Sequence, residues 1–561
     1  MKKIVTLVIA LVVAVGAFAC TNFVVGKNAS TDGSTYITYA ADSYSLYGFL
    51  RFRPAADHPV GSTRTVADWD TGKPLGEIPE IAHTYSVVGN MNEYQVTIGE
   101  TTYGGVEALW DTAGIDYGSL IYIALERSKT AREAIACMVT LAEKYGYASE
   151  GESFSIGDPD EVWIMDFIGC GPGSGKAVWV AARVPDDCIS AHANQARITT
   201  FPQQGAKKLK LTKDGNQIEV MTSKDGQWMW HKDVVRFARE KGLFEGKDSD
   251  FSFQAAYCPY TFSGLYACEA RVWSFFRHFN DDMDHYLDYV TGQTFNATHG
   301  SDAGEPMPLF IRPNRKVSVQ DLRACMRDQY EGTPIDITKG TAAGPWESKL
   351  RYGGLVYKLD STDYYYPRPT ATQQTGWSFV SQMRGYADPK VGGIFWFGVD
   401  DANLNLYMPM YSRMLAIPEC LKEGNGDLYT YSPTSAWWIF NIVANWTYPK
   451  YSRIYPDVKT KQQELEQYYD SQVPDIDRQA AAMADADARL FLTNYSCQTA
   501  TEGVESWKKL GIFLITKYLD GVERKEENGA FKRNDYGEPS GPNRISYPEE
   551  FLRKIEPETL H

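Results

Sequence analysis

The sequence predicts an α+β protein, a layered sandwich of sheets and helices that continues into an all-helical C-terminal portion. Three observations indicate this class. Segments rich in β-forming residues lie between residues 20 and 105, helical segments lie between 119 and 145, and strand-like segments return between 161 and 198. Beyond residue 430 the pattern becomes helical. Strands followed by a helix pair and then by more strands are typical of layered α+β proteins.

The first strands form a predicted β-hairpin. Asn22–Val25 and Thr35–Tyr39 are rich in strand formers, and between them lies GKNASTDG, which is dense in turn residues. His83–Gly105 again alternates strand formers and carries a turn signal at Gly89. The chain after residue 20 is therefore expected to begin in a strand.

A helix pair and two further strands are predicted next. Ser119–Arg127 forms a short predicted helix, and TARE from Thr130 is a capping box that opens a helix running to about Tyr145. Glu161–Ile168 and Ala177–Val184 are strands joined by GCGPGSG. This loop lacks the terminal GK[ST] of a phosphate-binding loop, so a tight connection between strands is predicted instead.

The later sequence divides into a mixed region and a helical one. Ile189–Ile198 forms one more short segment, and the pattern from 200 to 420 is mixed. The helical region contains a charged, an Ala-rich and an amphipathic stretch, Lys459–Tyr469, Asp475–Thr493 and Gly503–Leu519. We therefore expect a main domain over 20–430 and a helical extension, 431–561, packed on its core.

Composition excludes several classes of function. The 561 residues carry a formal net charge of −15, and an acidic surface repels phosphate backbones, which argues against nucleic-acid binding. No C-x-x-C or H-x₃₋₅-H spacing occurs, so neither a metal site nor a cofactor is predicted. The nine cysteines are odd in number, so at least one is expected to remain free within the chain.

The first residues predict export. Lys2 and Lys3 precede an apolar run from Ile4 to Val15, and Ala17-Phe18-Ala19 then has the small-x-small spacing of a signal-peptide cleavage site. No later segment offers 18 uninterrupted apolar residues, so no membrane span is predicted. Residues 1–19 are therefore expected to be a signal peptide, and the mature chain to be periplasmic or extracellular.

Cleavage after Ala19 would make Cys20 the first residue of the mature chain. One residue would then carry a thiol and a free α-amine, whose reference pKa values of about 8.5 and about 7.7–8.0 make proton exchange between them nearly thermoneutral. The amine can therefore serve as general base for its own side chain. Two other fates stay open on these residues alone: a buried cysteine without chemistry, and the lipidated cysteine of a membrane-anchored lipoprotein.

The residues that follow resemble a known family. Six segments share its pattern and order: CTNFVVGKNASTDGSTYITYAADS from Cys20, GNMNEYQVTIGET from Gly89, ALERSKTAREAI from Ala124, EGESFSIGDPDEVWIMD from Glu150, HANQARI from His192 and CEARVWSFFR from Cys268. Together they resemble the N-terminal-nucleophile cysteine dipeptidases, the family of dipeptidase A and the secernins, over residues 20 to about 466. The resemblance implies a four-layer αββα hydrolase sandwich and metal-free hydrolysis of dipeptides with broad side-chain tolerance.

The resemblance also implies roles for individual residues. Cys20 would be the nucleophile, and Asp42 would hold its amine. Asn194 would donate its side-chain amide to the oxyanion, with the backbone N–H near Thr101 as a second donor, and Arg271 would be the cation that polarises the region of the nucleophile. Such pre-aimed donors stabilise the tetrahedral intermediate of acyl transfer.

One position departs from the family, and one requirement of the substrate adds candidates. Relatives commonly carry Arg three residues before the residue matching Asp42, where this chain has Tyr39. A guanidinium there would lower the pKa of the thiol, so Arg271 is left as the cation expected to act on it. A dipeptide also presents a free ammonium, which requires a carboxylate, and Glu100 and Glu152 are the candidates for substrate binding.

Two other functions remain open at this stage. The same fold could act on another amide, such as a bile salt or penicillin V, which would require a large apolar acyl pocket. Alternatively, the chain could be a lipid-anchored binding protein without catalytic activity, with its many aromatic side chains as the binding platform. The sequence leaves open whether the chain forms a homo-oligomer.

Overall fold

Two large antiparallel sheets and the helices on them form the protein. The structure is a computed structural model that describes residues 20–295 and 304–556. The predicted signal peptide, residues 1–19, lies outside the described residues. Within them the mixed α/β class and the antiparallel sheets are as the sequence predicts.

The six-stranded sheet contains the predicted N-terminal hairpin, with Val24 paired to Ile37. All its strand pairs are antiparallel. From edge to edge the strands are Ile189–His192, Asn22–Val25, Thr35–Asp42, Thr375–Met383, Gly393–Val399 and Met408–Tyr411. Because strands flank Asn22–Val25 on both sides, the residues just before it, Cys20 and Thr21, are held at the end of an interior strand.

The ten-stranded sheet contains the strands within the predicted segments 83–105, 161–168 and 177–184, except His83–Thr84, which pairs with Ala56–Asp57. The predicted turn is present, with Gly89 at φ 58°, a left-handed conformation that favours glycine. From edge to edge the strands are Lys207–Lys213, Asn216–Thr222, Trp228–His231, Ala177–Arg183, Val162–Gly169, Gly151–Gly157, Thr97–Gly104, Met91–Asn92, Val87–Val88 and Phe52–Arg53. The Gly-rich loop after Gly169 is a tight strand connection, as predicted.

The two sheets pack against each other. Thr35–Asp42 of the six-stranded sheet contacts three strands of the ten-stranded sheet, Thr97–Gly104, Gly151–Gly157 and Val162–Gly169. His192 joins the sheets in the buried space between them, because its ring nitrogens lie 2.7 Å from the hydroxyls of Thr101 and Ser155. Burial, followed by the charge of Arg197, lowers the pKa of His192 to about 3, so the imidazole is neutral there.

Two helices cover the ten-stranded sheet where the sequence predicts them. Tyr117–Arg127 and Ala131–Tyr145 bury an apolar face against the sheet. Thr130 caps the second helix by accepting a hydrogen bond from the backbone N–H of Glu133 (3.2 Å). The Glu133 carboxylate accepts from the N–H of Lys129 rather than from that of Thr130. The second hydrogen bond of the predicted capping box therefore comes from Lys129, one residue before the cap.

Helices also cover the six-stranded sheet. They come mainly from the C-terminal half, and their apolar residues share one buried cluster with Cys20 and the sheet. They are Ala270–Arg277, Val319–Cys325, Ala436–Thr447, Tyr451–Ala481 and Asp485–Tyr518. The predicted helical portion is present, but the Ala-rich stretch 475–493 is not one helix. A turn at 482–484 divides it, and no Gly or Pro in the sequence marks that turn.

Smaller elements complete the described chain. The short strands are Ala56–Asp57, Thr63–Ala67, Pro74–Pro79, His83–Thr84, Val356–Leu359, Thr362–Tyr365, Val522–Glu523, Glu526–Glu527, Ala530–Phe531 and Asn543–Arg544, and the short helices are Val234–Glu240, Phe253–Tyr257, Leu287–Val290 and Glu549–Ile555. No helix in 20–295 or 304–556 combines the length and the apolar character that a membrane span needs. All nine cysteines lie within these residues and are free thiols.

We predict that truncating Trp507 destabilises the whole protein. Trp507 is fully buried and its ring stacks on Phe440 at 5.1 Å, so Trp507→Ala should lower the free energy of unfolding by about 3–5 kcal/mol. The control is Trp446→Ala, because Trp446 is 43% exposed and its loss should change stability by less than about 0.5 kcal/mol. Denaturant titration measures both. A separate early transition of the C-terminal helices, with the remainder unaffected, would contradict one shared core.

Candidate active site

The Cys20 thiol lies in a buried polar cluster drawn from both sheets. Its Sγ is 3.4 Å from the Tyr39 hydroxyl and 3.7 Å from Glu100 Oε1. The Tyr39 hydroxyl in turn donates a short hydrogen bond to the Glu100 carboxylate. Tyr39 belongs to the six-stranded sheet and Glu100 to the ten-stranded sheet, so packing of the sheets brings the three groups together.

The electrostatic setting of the thiol is negative. Burial, followed by the carboxylates of Glu100 and Asp42, raises the pKa of the Cys20 thiol well above its ordinary value. Hydrogen bonds with the Tyr39 hydroxyl and from the backbone of Asp42 act in the opposite direction and are weaker. A thiolate at this position therefore needs an additional positive charge close to the sulfur.

Glu100 and Glu152 form a buried carboxyl pair. The register Thr102↔Glu152 places them diagonally on neighbouring strands, and the two side chains are 2% and 0% exposed. Thr102 donates its hydroxyl proton to Glu152 Oε1 (2.8 Å). Burial is the first cause that raises the pKa of both, to about 7 for Glu100 and well above the ordinary value for Glu152, where the charge of Glu100 adds to it. Burial and mutual repulsion therefore oppose two negative charges on this pair.

A buried arginine pairs with Asp42. The Nη2 of Arg368 lies 2.6 Å from Asp42 Oδ2, and the Thr375 hydroxyl donates to Oδ1 at 2.6 Å. Asp42 and Arg368 are 0% and 1% exposed. This pair fixes the end of the strand that carries Tyr39. Arg368 is 326 positions away from Asp42, and no motif in the sequence points to it.

Arg271 fixes the backbone of Cys20 against Asn194. Its Nη1 donates to the Cys20 carbonyl (2.7 Å) and to the Thr21 hydroxyl (2.8 Å). Its Nη2 donates to the Ala193 carbonyl (3.1 Å) and to Asn194 Oδ1 (2.9 Å). The guanidinium therefore positions the backbone of Cys20 and the turn at Asn194, and it does not bond the sulfur itself.

Asn194 lies in a turn directly after the strand Ile189–His192, at φ 61°. Asparagine tolerates this left-handed conformation better than most residues. Its amide nitrogen donates to the Thr102 carbonyl at 2.6 Å, while its oxygen accepts from Arg271. The amide is therefore fixed at both ends, and donors fixed in this way are what stabilisation of an oxyanion requires.

The predicted site residues occupy different depths. Cys20, Tyr39 and Glu100 line a narrow recess, together with Asp70 and Thr102. Asp42, Arg271 and Asn194 surround Cys20 from outside that lining. Thr101 points its hydroxyl towards His192 between the sheets, and Glu152 lies behind Glu100.

Sequence reasoning missed four contributors to the site. They are Arg368 and Thr375, which hold Asp42, and Trp69 and Asp70, which line the recess. Trp69 and Asp70 lie in the connection between the strands Thr63–Ala67 and Pro74–Pro79, outside every segment that carries the family resemblance. In 20–295 and 304–556, no group of three or more His, Cys, Asp and Glu side chains is arranged to hold a metal ion.

A thiol beside a fixed side-chain amide provides a possible nucleophile and a possible oxyanion donor, the groups used in acyl transfer. The comparison with protein families identifies the class of protein. The model of Peptidase family C69 matches residues 19–54 and 53–464, which is most of the chain. The protein therefore belongs to Peptidase family C69 and is a peptidase, which confirms the family predicted from the sequence.

Curated relatives agree with this assignment. The chain is 24% identical to a "Probable dipeptidase" of Latilactobacillus sakei over 89% of this chain and 95% of that protein. It is 24% identical to a "Probable dipeptidase" of Salmonella dublin over 74% and 86% of the two chains. It is 23% identical to "Dipeptidase A" of Lactobacillus helveticus over 71% and 76%.

We predict that Glu100→Gln raises stability more near pH 8 than near pH 5. The pKa of Glu100 is raised to about 7 by burial, whereas a glutamate in an unfolded chain titrates near about 4.3. Between these values the folded state holds a proton that the unfolded state has released, so the free energy of unfolding falls as pH rises, and it levels off above the folded pKa. The substitution should remove a decline of about 2–3 kcal/mol.

Denaturant titrations at the two pH values measure this effect. The control is Glu107→Gln, because Glu107 is exposed at the turn that follows the same strand. Its effect should be equal at both pH values. If Glu100→Gln also changed stability equally at both, Glu100 would not titrate in this window.

Proposed function

We propose that this chain is an exported cysteine dipeptidase whose nucleophile, Cys20, becomes the first residue when residues 1–19 are removed. The observation that carries the proposal is the Cys20 thiol held 3.7 Å from the Glu100 carboxylate in a small recess. A nucleophile beside a buried carboxylate suits a substrate whose reacting carbonyl lies close to a free ammonium. The dipeptidase names of the relatives support the same substrate class.

We propose further that the fold is a four-layer αββα sandwich of the N-terminal-nucleophile hydrolases. Helices on the outer face of each sheet and contact between the two sheets support this. In such a fold the nucleophile has to lie at the start of a strand, as Cys20 does before Asn22–Val25. The catalytic domain would span 20–430. The helices of 431–561 would be an extension whose apolar residues join the same core.

The α-amine of mature Cys20 would solve the electrostatic problem of the thiol. The carboxylates of Glu100 and Asp42 oppose a thiolate but favour a neighbouring ammonium. Transfer of the thiol proton to the amine would create a thiolate and an ammonium on one residue, with the carboxylates stabilising the ammonium. The absence of the family arginine at Tyr39 is then compatible with activity, because the ammonium provides the positive charge.

In the proposed reaction the Cys20 thiolate attacks the peptide carbonyl and forms a tetrahedral intermediate. The Asn194 amide, with a backbone N–H near Thr101, would stabilise the charge on its oxygen, and one such donor contributes about 2.7–4 kcal/mol. The ammonium gives its proton to the departing amine, which leaves as the C-terminal amino acid. Water then hydrolyses the thioester and regenerates the thiol. Arg271 and Asp42 would position Cys20 throughout.

The carboxylates favour dipeptides over amides with large apolar acyl groups. Glu100 and Asp70 both line the recess at Cys20, and Glu152 adds a third carboxyl group directly behind Glu100. An acyl group without a cation would bury Glu100 uncompensated, which costs free energy. We therefore propose that Glu100, supported by Glu152, binds the substrate ammonium.

We predict that Cys20→Ala abolishes dipeptide hydrolysis and leaves the fold intact. Cys20→Ser should retain at most a trace of activity, because a hydroxyl is much harder to ionise than a thiol. The matched control is Cys497→Ala, since Cys497 is a partly exposed free thiol on the C-terminal helix and should be dispensable. Release of free amino acids from alanyl dipeptides is the assay, and circular dichroism checks the fold. Activity retained in Cys20→Ala would show that another residue attacks.

We predict that a Met retained ahead of Cys20 inactivates the enzyme. The amine of Cys20 would then be an amide nitrogen, which cannot accept the thiol proton. Mass spectrometry should find a bare Cys20 in the active, exported protein, and turnover should track the fraction that begins at this residue. Full activity with the added Met, or a lipidated Cys20 in the native protein, would refute the amine as base.

A further inference from the structure

A second cavity adjoins the Cys20 recess and has no role in the proposed chemistry. Its volume is about 280 Å³, compared with about 10 Å³ for the narrow recess. Four residues line both cavities: Leu46, Trp69, Asp70 and Trp377. Each of the two tryptophans is only partly buried. The cavities therefore share a wall, and a substrate held at Cys20 would extend from one into the other.

Half of the residues that line this second cavity are aromatic, and we call it the aromatic cleft. Its aromatic lining is Tyr47, Phe49, Trp69, Tyr122, Trp377 and Phe397. Several of these residues come from the segment that runs directly on from Asp42, so the chain that anchors the nucleophile also builds the cleft. Rings at this density favour an apolar or aromatic guest.

Arg51 gives the aromatic cleft a positive charge. Its guanidinium carbon lies 4.2 Å from the ring centre of Trp69 and 5.3 Å from those of Phe49 and Tyr122. The Arg51 guanidinium makes no hydrogen bond or ion pair with any residue of 20–295 or 304–556. Its near neighbour Arg53 differs, because Arg53 is paired with Glu126 at 3.2 Å. Stacking uses the face of a guanidinium and leaves its N–H donors, which lie in the plane, available for a ligand.

We propose that the aromatic cleft binds the C-terminal residue of the dipeptide and that Arg51 pairs with its free α-carboxylate. This inference rests on the proposed function, because it assumes that the peptide bond is held at Cys20. A dipeptide is a zwitterion that spans at most about 7 Å, so both of its charged ends have to be bound within one small site. The Glu100 carboxylate lies in the recess, Arg51 lies in the aromatic cleft, and Asp70 lines both. Trp69 lines both.

The arrangement explains how one site can require two residues and still accept many side chains. The charged ends of the dipeptide are common to all dipeptides, and an arginine recognises a carboxylate through two parallel hydrogen bonds. The rings contact the C-terminal side chain without polar selection. In a longer peptide, an uncharged peptide group would lie where the α-carboxylate of a dipeptide pairs with Arg51, and the arginine would be left unpaired.

The test is a binding measurement that does not depend on turnover. Calorimetry on Cys20→Ala would compare alanyl-phenylalanine with its C-terminal amide. We expect the free acid to bind about 10- to 100-fold more tightly, the range typical of a hydrogen bond to a charged group. Adding Arg51→Gln should lower the affinity for the acid to that for the amide, and should leave the affinity for the amide unchanged. Adding Arg53→Gln instead should preserve the difference between the ligands.

Three results would overturn the inference. The first is equal or undetectable binding of acid and amide before Arg51 is changed. The second is a preference for the acid that survives Arg51→Gln. The third is an equal loss for both ligands, which would mean that Arg51 only supports the packing of Trp69. Failure of the proposed function would appear elsewhere, as turnover that persists in Cys20→Ala.

Discussion

Buried negative charge beside a single thiol is the constraint on which the rest of this site depends. The carboxylates of Glu100 and Asp42 both oppose ionisation of the Cys20 thiol. Arg271 donates hydrogen bonds to backbone carbonyls and to Asn194. A site of this kind cannot activate its thiol unless a cation arrives at the nucleophile itself. Cleavage before Cys20 would create such a cation, the α-ammonium group. The proposed chemistry therefore depends on processing of the N-terminus.

Two buried arginines, Arg368 and Arg271, have different roles near this negative charge. Arg368 compensates Asp42 inside the protein, where breaking a buried pair costs about 3–5 kcal/mol. Arg271 hydrogen-bonds both the Cys20 carbonyl and Asn194, so it links the proposed nucleophile to the amide proposed for the oxyanion. Glu100 and Glu152 have no arginine partner among the described residues, and the charge of Glu100 is left to Tyr39, to Glu152 and, in the proposed function, to the substrate. Glu100 is therefore the carboxylate at which we expect a substrate ammonium to bind.

Local patterns predicted most of the elements that carry the site. Asn22–Val25 and Thr35–Asp42, the helix from Ala131 and the strands from Val162 all lie where turn residues, capping and alternation indicate. The break at 482–484 escaped prediction because nothing there departs from helical composition. Arg368 and Asp70 escaped for another reason. Their roles arise only from contacts across hundreds of residues or between a loop and a sheet, and no local spacing encodes such contacts.

Tyr39 illustrates how far a resemblance carries. The pattern of the family predicts a cation at this position, and the structure has instead a phenol that bonds both to the thiol and to Glu100. A phenol does not supply a positive charge, but it can orient the thiol and share its proton with the carboxylate. In the proposed mechanism, activation of the thiol would therefore depend on the α-amine instead of a side-chain cation, with Glu100 close to the thiol. In this chain, binding of the substrate ammonium and activation of the thiol would then depend on the same carboxylate.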